Sequence, residues 1–219
     1  MNNDNHTSHQ GTPESSKPSK PRSSSPRSSS PVNRTKAVEV AAQLFLRQGY
    51  AYVSMDEVVR VSGVSKSNIY YHFKNKEELL QAVVQFWIAQ YESELYLLLS
   101  QRERGVEERM NAFLDLLSAG IESRNFKGTC PFVTLYMQAP ESASLAKESI
   151  SIFFRELVPM VEKLLHQGVE LGEFRKGIEP GAAAALFVAA LEGSLILAGT
   201  SRDLGIIKQS AQTFCQMLR

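Results

Sequence analysis

Between Ser54 and Glu78 the chain starts a helix three times, and that crowding constrains its fold more than any other feature. Ser54-Met-Asp-Glu57 sets a hydroxyl three residues ahead of a carboxylate, a capping box that satisfies amides left open at a helix start. The helix it opens carries Met55, Val58 and Val59 and ends near Ser62. Gly63 supplies a turn, and Ser65 can cap a short third helix running to about Phe73. Asn75-Lys-Glu-Glu78 repeats the cap-plus-carboxylate pattern and opens a long fourth helix through Leu79, Leu80, Val83, Val84, Trp87 and Tyr91. Two short helices around a glycine turn are the pattern of a helix-turn-helix.

Helical spacing extends in both directions. Upstream, Val38, Ala41, Ala42 and Phe45 fall on one face of a first helix that stops at Gly49. Downstream, the pattern predicts a fifth helix over 106–124, a short sixth opened by Pro131, and a long seventh over 144–171 containing Pro159. An eighth runs over 180–200 and a ninth over 203–217. No strand pair or hairpin signal appears, so the expected class is all-α with about nine helices.

The third helix is peculiar. Val64, Ile69 and Phe73 make one narrow apolar edge, while Ser65, Lys66, Ser67, Asn68, Tyr70, Tyr71 and His72 present polar tips. Such a helix is a poor core element but suits a DNA major groove. Lys, Ser and Asn can bond base edges or phosphates, and tyrosine rings can touch thymine methyls. A plain solvated face is the alternative, but two adjacent exposed rings gain nothing from water.

Residues 1–32 are a separate zone rich in Ser, Pro and Lys/Arg, including Lys17, Lys20, Arg22 and Arg27. They bury too little apolar surface to offset ordering entropy and are expected to be disordered. They serve either as a mild phosphate-seeking arm or as an inert solubilising tail. The net charge is only +1, with 43% hydrophobic and 21% charged residues, an ordinary balance for a soluble globular chain. The first thirty residues hold no apolar run, so no secretory signal is read there, and the expected location is cytoplasmic. Cys130 and Cys215 lack metal-ligand spacing and fit reduced cytosolic thiols. The apolar stretch 181–200 has the length of a membrane span, but Glu192 at its middle favours a helix packed against other helices. His6, His9, His72 and His166 stand apart, and no nucleophile elbow, phosphate loop or zinc motif is present. Neither an enzyme nor a metal or cofactor site is expected.

Residues 34–80 resemble the DNA-binding domain of the TetR/AcrR family of transcriptional regulators. The likeness is carried by Gly63-Val-Ser-Lys-Ser-Asn-Ile-Tyr-Tyr-His-Phe-Lys-Asn-Lys-Glu-Glu-Leu-Leu80, and upstream by Ala42-Gln-Leu-Phe-Leu-Arg-Gln-Gly-Tyr50. The resemblance implies a helix-turn-helix domain over 33–80 and an effector-binding and dimerisation domain over 81–219. It places Lys66, Ser67 and Tyr70 where family members touch bases, with Asn68 beside them. Ser54, Ser65, Tyr71, His72 and Lys76 fall where they touch phosphates, and Thr35 is a further phosphate candidate. The start of the fourth helix also offers amides and a positive dipole end.

It further implies that the last two helices form a four-helix bundle with a second copy. Small residues of the eighth (Ala182–Ala185, Ala189, Ala190, Gly193, Ser194) and Ile206, Ile207, Phe214 and Leu218 of the ninth would provide that surface. The middle helices would then enclose an effector, with Trp87, Tyr91, Phe113, Phe126, Cys130, Phe132, Tyr136, Met137 and Phe153 as candidate lining; plain core is the alternative for each. Few charges lie among them, which points to an apolar or aromatic effector. The expected activity is that of a dimeric repressor bound to palindromic double-stranded operator DNA and released by a small molecule. Two alternatives remain at this point. One is a ligand-independent DNA-organising or division-control protein on the same fold. The other is a redox or electrophile sensor using Cys130, whose place at a helix start could lower its pKa.

Overall fold

The computed structural model describes residues 31–219. Among them the chain forms α1 (Pro31–Gln48), a 3₁₀ turn (Tyr50–Tyr52), α2 (Met55–Ser62), α3 (Lys66–His72), α4 (Lys76–Ser100) and α5 (Val106–Ser123). There follow α6 (Pro131–Gln138), α7 (Ser144–Glu170), α8 (Pro180–Ser201) and α9 (Gly205–Leu218), with no strand. The expected tail over 1–30 lies outside the described residues. Pro31 and Val32, expected to belong to it, are instead the first turn of α1, where proline's fixed φ and missing N–H cost nothing.

The caps act as their residue types require. Ser54 Oγ accepts from the Glu57 N–H at 3.1 Å, and Asn75 Oδ1 accepts from the Glu78 N–H at 2.8 Å. Glu78 in turn reaches back to the Lys74 N–H at 2.8 Å, closing the box at the head of α4. Gly63 ends α2 in the left-handed conformation with φ 67°, donating to the Val59 carbonyl at 3.0 Å. Ser65 differs from expectation. Its hydroxyl makes no cap bond and lies 3.3 Å from Ser67 Oγ.

α1 is the hub of the first unit, packing on α2, α3 and α4 and also on α6. Phe45 of α1 is fully buried, and Ile69, Leu79, Leu80, Val83 and Val84 join it in one continuous core. Losing a buried phenylalanine of this kind costs about 3–5 kcal/mol. α4 then runs on into the second unit to pack on α5, α6 and α7, so a single helix belongs to both. α7 stacks on α8, and α8 on α9. α7 remains helical through Pro159.

α8 is long and apolar enough to cross a membrane by length and composition, yet only 28% of its most apolar window is buried within the chain. One side (Ala184, Phe187, Leu191, Leu195, Ala198) is core, while Leu186, Ile196 and Leu197 stay exposed.

Candidate DNA interface and ligand cavity

Ile69 is fully buried and Val64 and Phe73 nearly so, which pins α3 by one edge and turns its other residues outward. Ser65, Lys66, Ser67, Tyr70 and Tyr71 are exposed, Tyr71 to 71%. Asn68 and His72 are half-buried; Asn68 Oδ1 and His72 Nε2 are shielded and lack partners among the described residues. The Tyr71 ring stands edge-on to His72 at 5.1 Å.

Lys66 is already engaged. Its Nζ lies 2.7 Å from Asp56 Oδ1 and 5.7 Å from the Tyr70 ring centre. The hydrogen bond to Asp56 and that residue's charge raise the lysine's pKa. Asp56 therefore aims the ammonium across the groove between α2 and α3. Lys76 is held differently. Its Nζ sits 4.1 Å over the Tyr50 ring and 3.5 Å from the Ala51 carbonyl. Burial lowers its pKa, with Glu77 opposing. It meets Ser54, Tyr70 and Asp56 in a groove of about 420 Å³ whose rim includes Tyr52. Tyr52 is 83% exposed and was missed in the sequence; a second tyrosine two residues after Tyr50, behind the Gly49 turn, is the signal that marks it. Ser54 uses a lone pair to cap α2, which leaves its O–H available as a donor. Thr35 is not at a helix start. Because α1 begins at Pro31, Thr35 stands a turn in and donates back to the Pro31 carbonyl at 3.2 Å.

Five of the nine cavity candidates come together. Tyr91, Phe113, Cys130, Phe132 and Phe153 line a cavity of about 50 Å³, closed by Leu157, Leu191 and Glu192. Phe132 and Phe153 stack at 4.0 Å, and Tyr91 meets Phe132 edge-on at 5.0 Å. Trp87 lines an adjoining cleft of about 730 Å³ between α4 and α5 that shares Tyr91, Phe113 and Leu117 with the cavity. Three candidates lie elsewhere. On α6 the inward edge is Phe132, Leu135 and Ala139, which sends Tyr136 (42% exposed) and Met137 (77% exposed) outward. Phe126 sits outside under the Arg202 guanidinium at 5.1 Å. The sequence reading missed Glu192 as a cavity wall.

Cys130 caps α6: its Sγ accepts from the Val133 N–H at 3.5 Å and its thiol donates to Glu192 Oε1 at 3.4 Å. Burial first, then the Glu192 carboxyl, push the thiol well above its ordinary pKa, outweighing the helix-start amides. The expected lowering is thus reversed. Cys215 is also buried and raised, to about 11.

Comparison with known proteins supplies the deciding observation. Residues 37–83 match the bacterial regulatory proteins of the tetR family, and residues 106–214 match the tetracyclin repressor-like C-terminal domain. The chain belongs to the TetR family. It is a DNA-binding transcriptional regulator, in a family of regulators and not of enzymes. The regulator SrpR of Pseudomonas putida is 24% identical over 188 residues, 85% of each chain. A TetR regulatory protein from Rhodobacter sphaeroides superposes with a TM-score of 0.75 at 18% identity, over 84% of this chain and 98% of that one. SmeT, solved as a triclosan complex, superposes with a TM-score of 0.65 at 23% identity, over 85% and 90%. In this TetR-family chain, α2 and α3 are the helix-turn-helix, and α5–α8 with most of α9 fall within the C-terminal match.

Proposed function

We propose that this regulator represses transcription as a homodimer on a palindromic operator in the cytoplasm, and lets go when an apolar or aromatic molecule enters the cavity. The domains divide near residue 80, within α4. The observation that carries the DNA-reading part is α3 itself, anchored by Ile69 with hydroxyls, an ammonium and two phenols turned outward. Lys66, Ser67, Asn68 and Tyr70 read bases. Ser54, Ser65, Tyr71, His72 and Lys76 hold phosphates, with Tyr52 added and Thr35 left the least favoured.

The outer face of α8 and α9 supports a dimer. Leu186, Ala190, Ile206, Phe214 and Met217 line an open groove of about 420 Å³. Ile207, Phe214 and Leu218 of α9 are buried within the chain itself, so the mate is met by Leu186, Ile206, Met217 and the exposed Ala182, Ala185, Ala189 and Gly193. Apolar surface of this kind seldom stays open to water.

Two connections support effector coupling. α4 carries Tyr91 at the cavity and Lys76 at the reading head. α6 carries Phe132 at the cavity and, at its other end, Gln138, whose Oε1 accepts from the Tyr50 N–H at 2.8 Å. An effector that shifts α6 therefore pulls on the turn that holds Lys76. The cavity favours this reading over a ligand-independent DNA organiser, and the protonated Cys130 favours it over a thiol sensor.

The test is Leu186→Glu. Two buried carboxylates facing each other across a two-fold interface are strongly disfavoured. Sedimentation should show a dimer for the native chain at micromolar concentration and a monomer for the variant. The variant should also lose operator affinity by about tenfold or more, because only paired half-sites add their contacts. A native chain that is monomeric yet binds operator as tightly as the variant contradicts the proposal.

A further inference from the structure

The cavity wall is apolar except for three groups, the Tyr91 phenol, the Cys130 thiol and the Glu192 carboxyl. A carboxyl there needs a reason. Glu192 Oε1 accepts from Cys130, but Oε2 is shielded from water and has no hydrogen-bond partner among the described residues. No salt bridge reaches it there either. The nearby cation, Arg124 at the end of α5, is committed to the carbonyls of Lys127, Gly128 and Thr129. The α5 and α7 residues at the cavity, such as Phe113, Phe153 and Leu157, carry no titratable group, and α9 contributes none to the lining.

Tyr91, Phe132 and Phe153 line the same cavity as this carboxyl and touch one another, and aromatic ring faces attract positive charge. We propose that Glu192 is the counter-ion for a lipophilic monocation whose charged head lies among these three rings. This rests on the effector reading above and names its ligand class. A purely apolar guest leaves Oε2 buried and unpaired. A cation removes that deficit and gains both the rings and the carboxylate. The cavity of about 50 Å³ is too small for a whole amphiphile, but Tyr91, Phe113 and Leu117 also wall the cleft of about 730 Å³. Turning these side chains joins the two spaces, so that the head reaches Glu192 and the hydrocarbon body fills the cleft beside Trp87.

Burial pushes the Glu192 carboxyl above its ordinary range, with the Cys130 hydrogen bond opposing. The resting acid is therefore stabilised in its neutral form, and a cation stabilises the ionised one. Below the raised pKa, binding must expel a proton, and cation affinity rises with pH until the free protein is itself ionised. Of the groups facing Glu192, Cys130 and Tyr91 have pKa values raised by burial, and Arg124 stays charged, so the carboxyl is the group that titrates.

The experiment is calorimetry on the full chain with 3-phenylpropyl-trimethylammonium, its uncharged carbon isostere bearing a tert-butyl head, and a phenylalkyl methyl ketone of equal length. The cation should bind at least about tenfold tighter than either neutral probe. Titrations in buffers of different ionisation enthalpy should show proton release. In Glu192→Gln the preference for the cation over its isostere should fall to within about twofold, and a retained cooperative melting transition shows the variant to be folded. Equal affinities in the native chain, tighter binding of the ketone, binding of none of the probes, or a preference kept by Glu192→Gln each overturn the proposal. A DNA gel shift separates this from the repressor reading. A cation that binds through Glu192 but leaves operator bound sinks the repressor reading alone. Release by the neutral isostere, with no cation preference, sinks the counter-ion alone.

Discussion

The Lys66→Ala/Tyr71→Ala variant should lose operator affinity by about 10²–10³-fold with its fold intact. Neither side chain is part of the core. Lys66 reaches Asp56 across the surface, and Tyr71 projects from α3. A lysine on a base edge contributes about 1–3 kcal/mol of discrimination, and a hydrogen bond to a charged phosphate about 1.5–3 kcal/mol. Each loss is felt in both half-sites. Removing Lys66 also frees the Asp56 carboxylate to face DNA phosphates, which adds repulsion. The single variants should divide the effect. Lys66→Ala relaxes discrimination at one operator position, whereas Tyr71→Phe weakens all sequences alike. Gel shifts across a salt series read both, and a thermal melt within about 2 °C of the native chain confirms that surface contacts alone were removed. Full operator affinity in the double variant would remove α3 as the reader.

Gly128→Ala should cost about 2–4 kcal/mol of stability and lower the melting temperature by about 5–15 °C. Gly128 precedes α6 and adopts φ 58°, where a side chain is strained. An added Cβ would stand 2.9 Å from Leu46 Cβ and 3.0 Å from the Leu46 carbonyl oxygen, near the end of α1. A backbone oxygen cannot swing aside, so the strand of chain before α6 must lift from the helix-turn-helix unit. Gly172→Ala is the control. Its φ of 75° carries the same strain, but nothing lies within 4 Å of the added carbon. It should lose only about 1–2 kcal/mol. Equal melting temperatures for the two variants would show that the α6–α1 contact contributes nothing.

Local chemistry was legible from the residues; distant partners were not. Ser54 with Glu57 and Asn75 with Glu78 announce helix starts because a cap and its carboxylate are neighbours in the chain. The inward edge of α3 follows from the same local periodicity. Thr35 was misplaced because the first turn of α1 holds only Pro31 and an exposed Val32, with no apolar stripe to reveal it. Tyr136 and Met137 looked like lining because a helix as short as α6 does not disclose which edge meets α7. Cys130 looked reactive for its helix-start amides, which are local. Burial reverses the effect, helped by the Glu192 carboxyl 62 residues away. Glu192 itself spoke against a membrane span by composition, but its place in the cavity wall depends on how α8 packs on α7 and meets Cys130 at the head of α6.

Two copies gripping one operator at a fixed spacing is the central expectation for this regulator. Footprinting and stoichiometry on a DNA fragment selected by the full chain should show two protomers on a palindrome. The half-site centres should lie about 34–36 Å apart, or a multiple of one helical turn. Protection of a single half-site by one protomer, or a bound site unaffected by inserting half a turn between its halves, would contradict it.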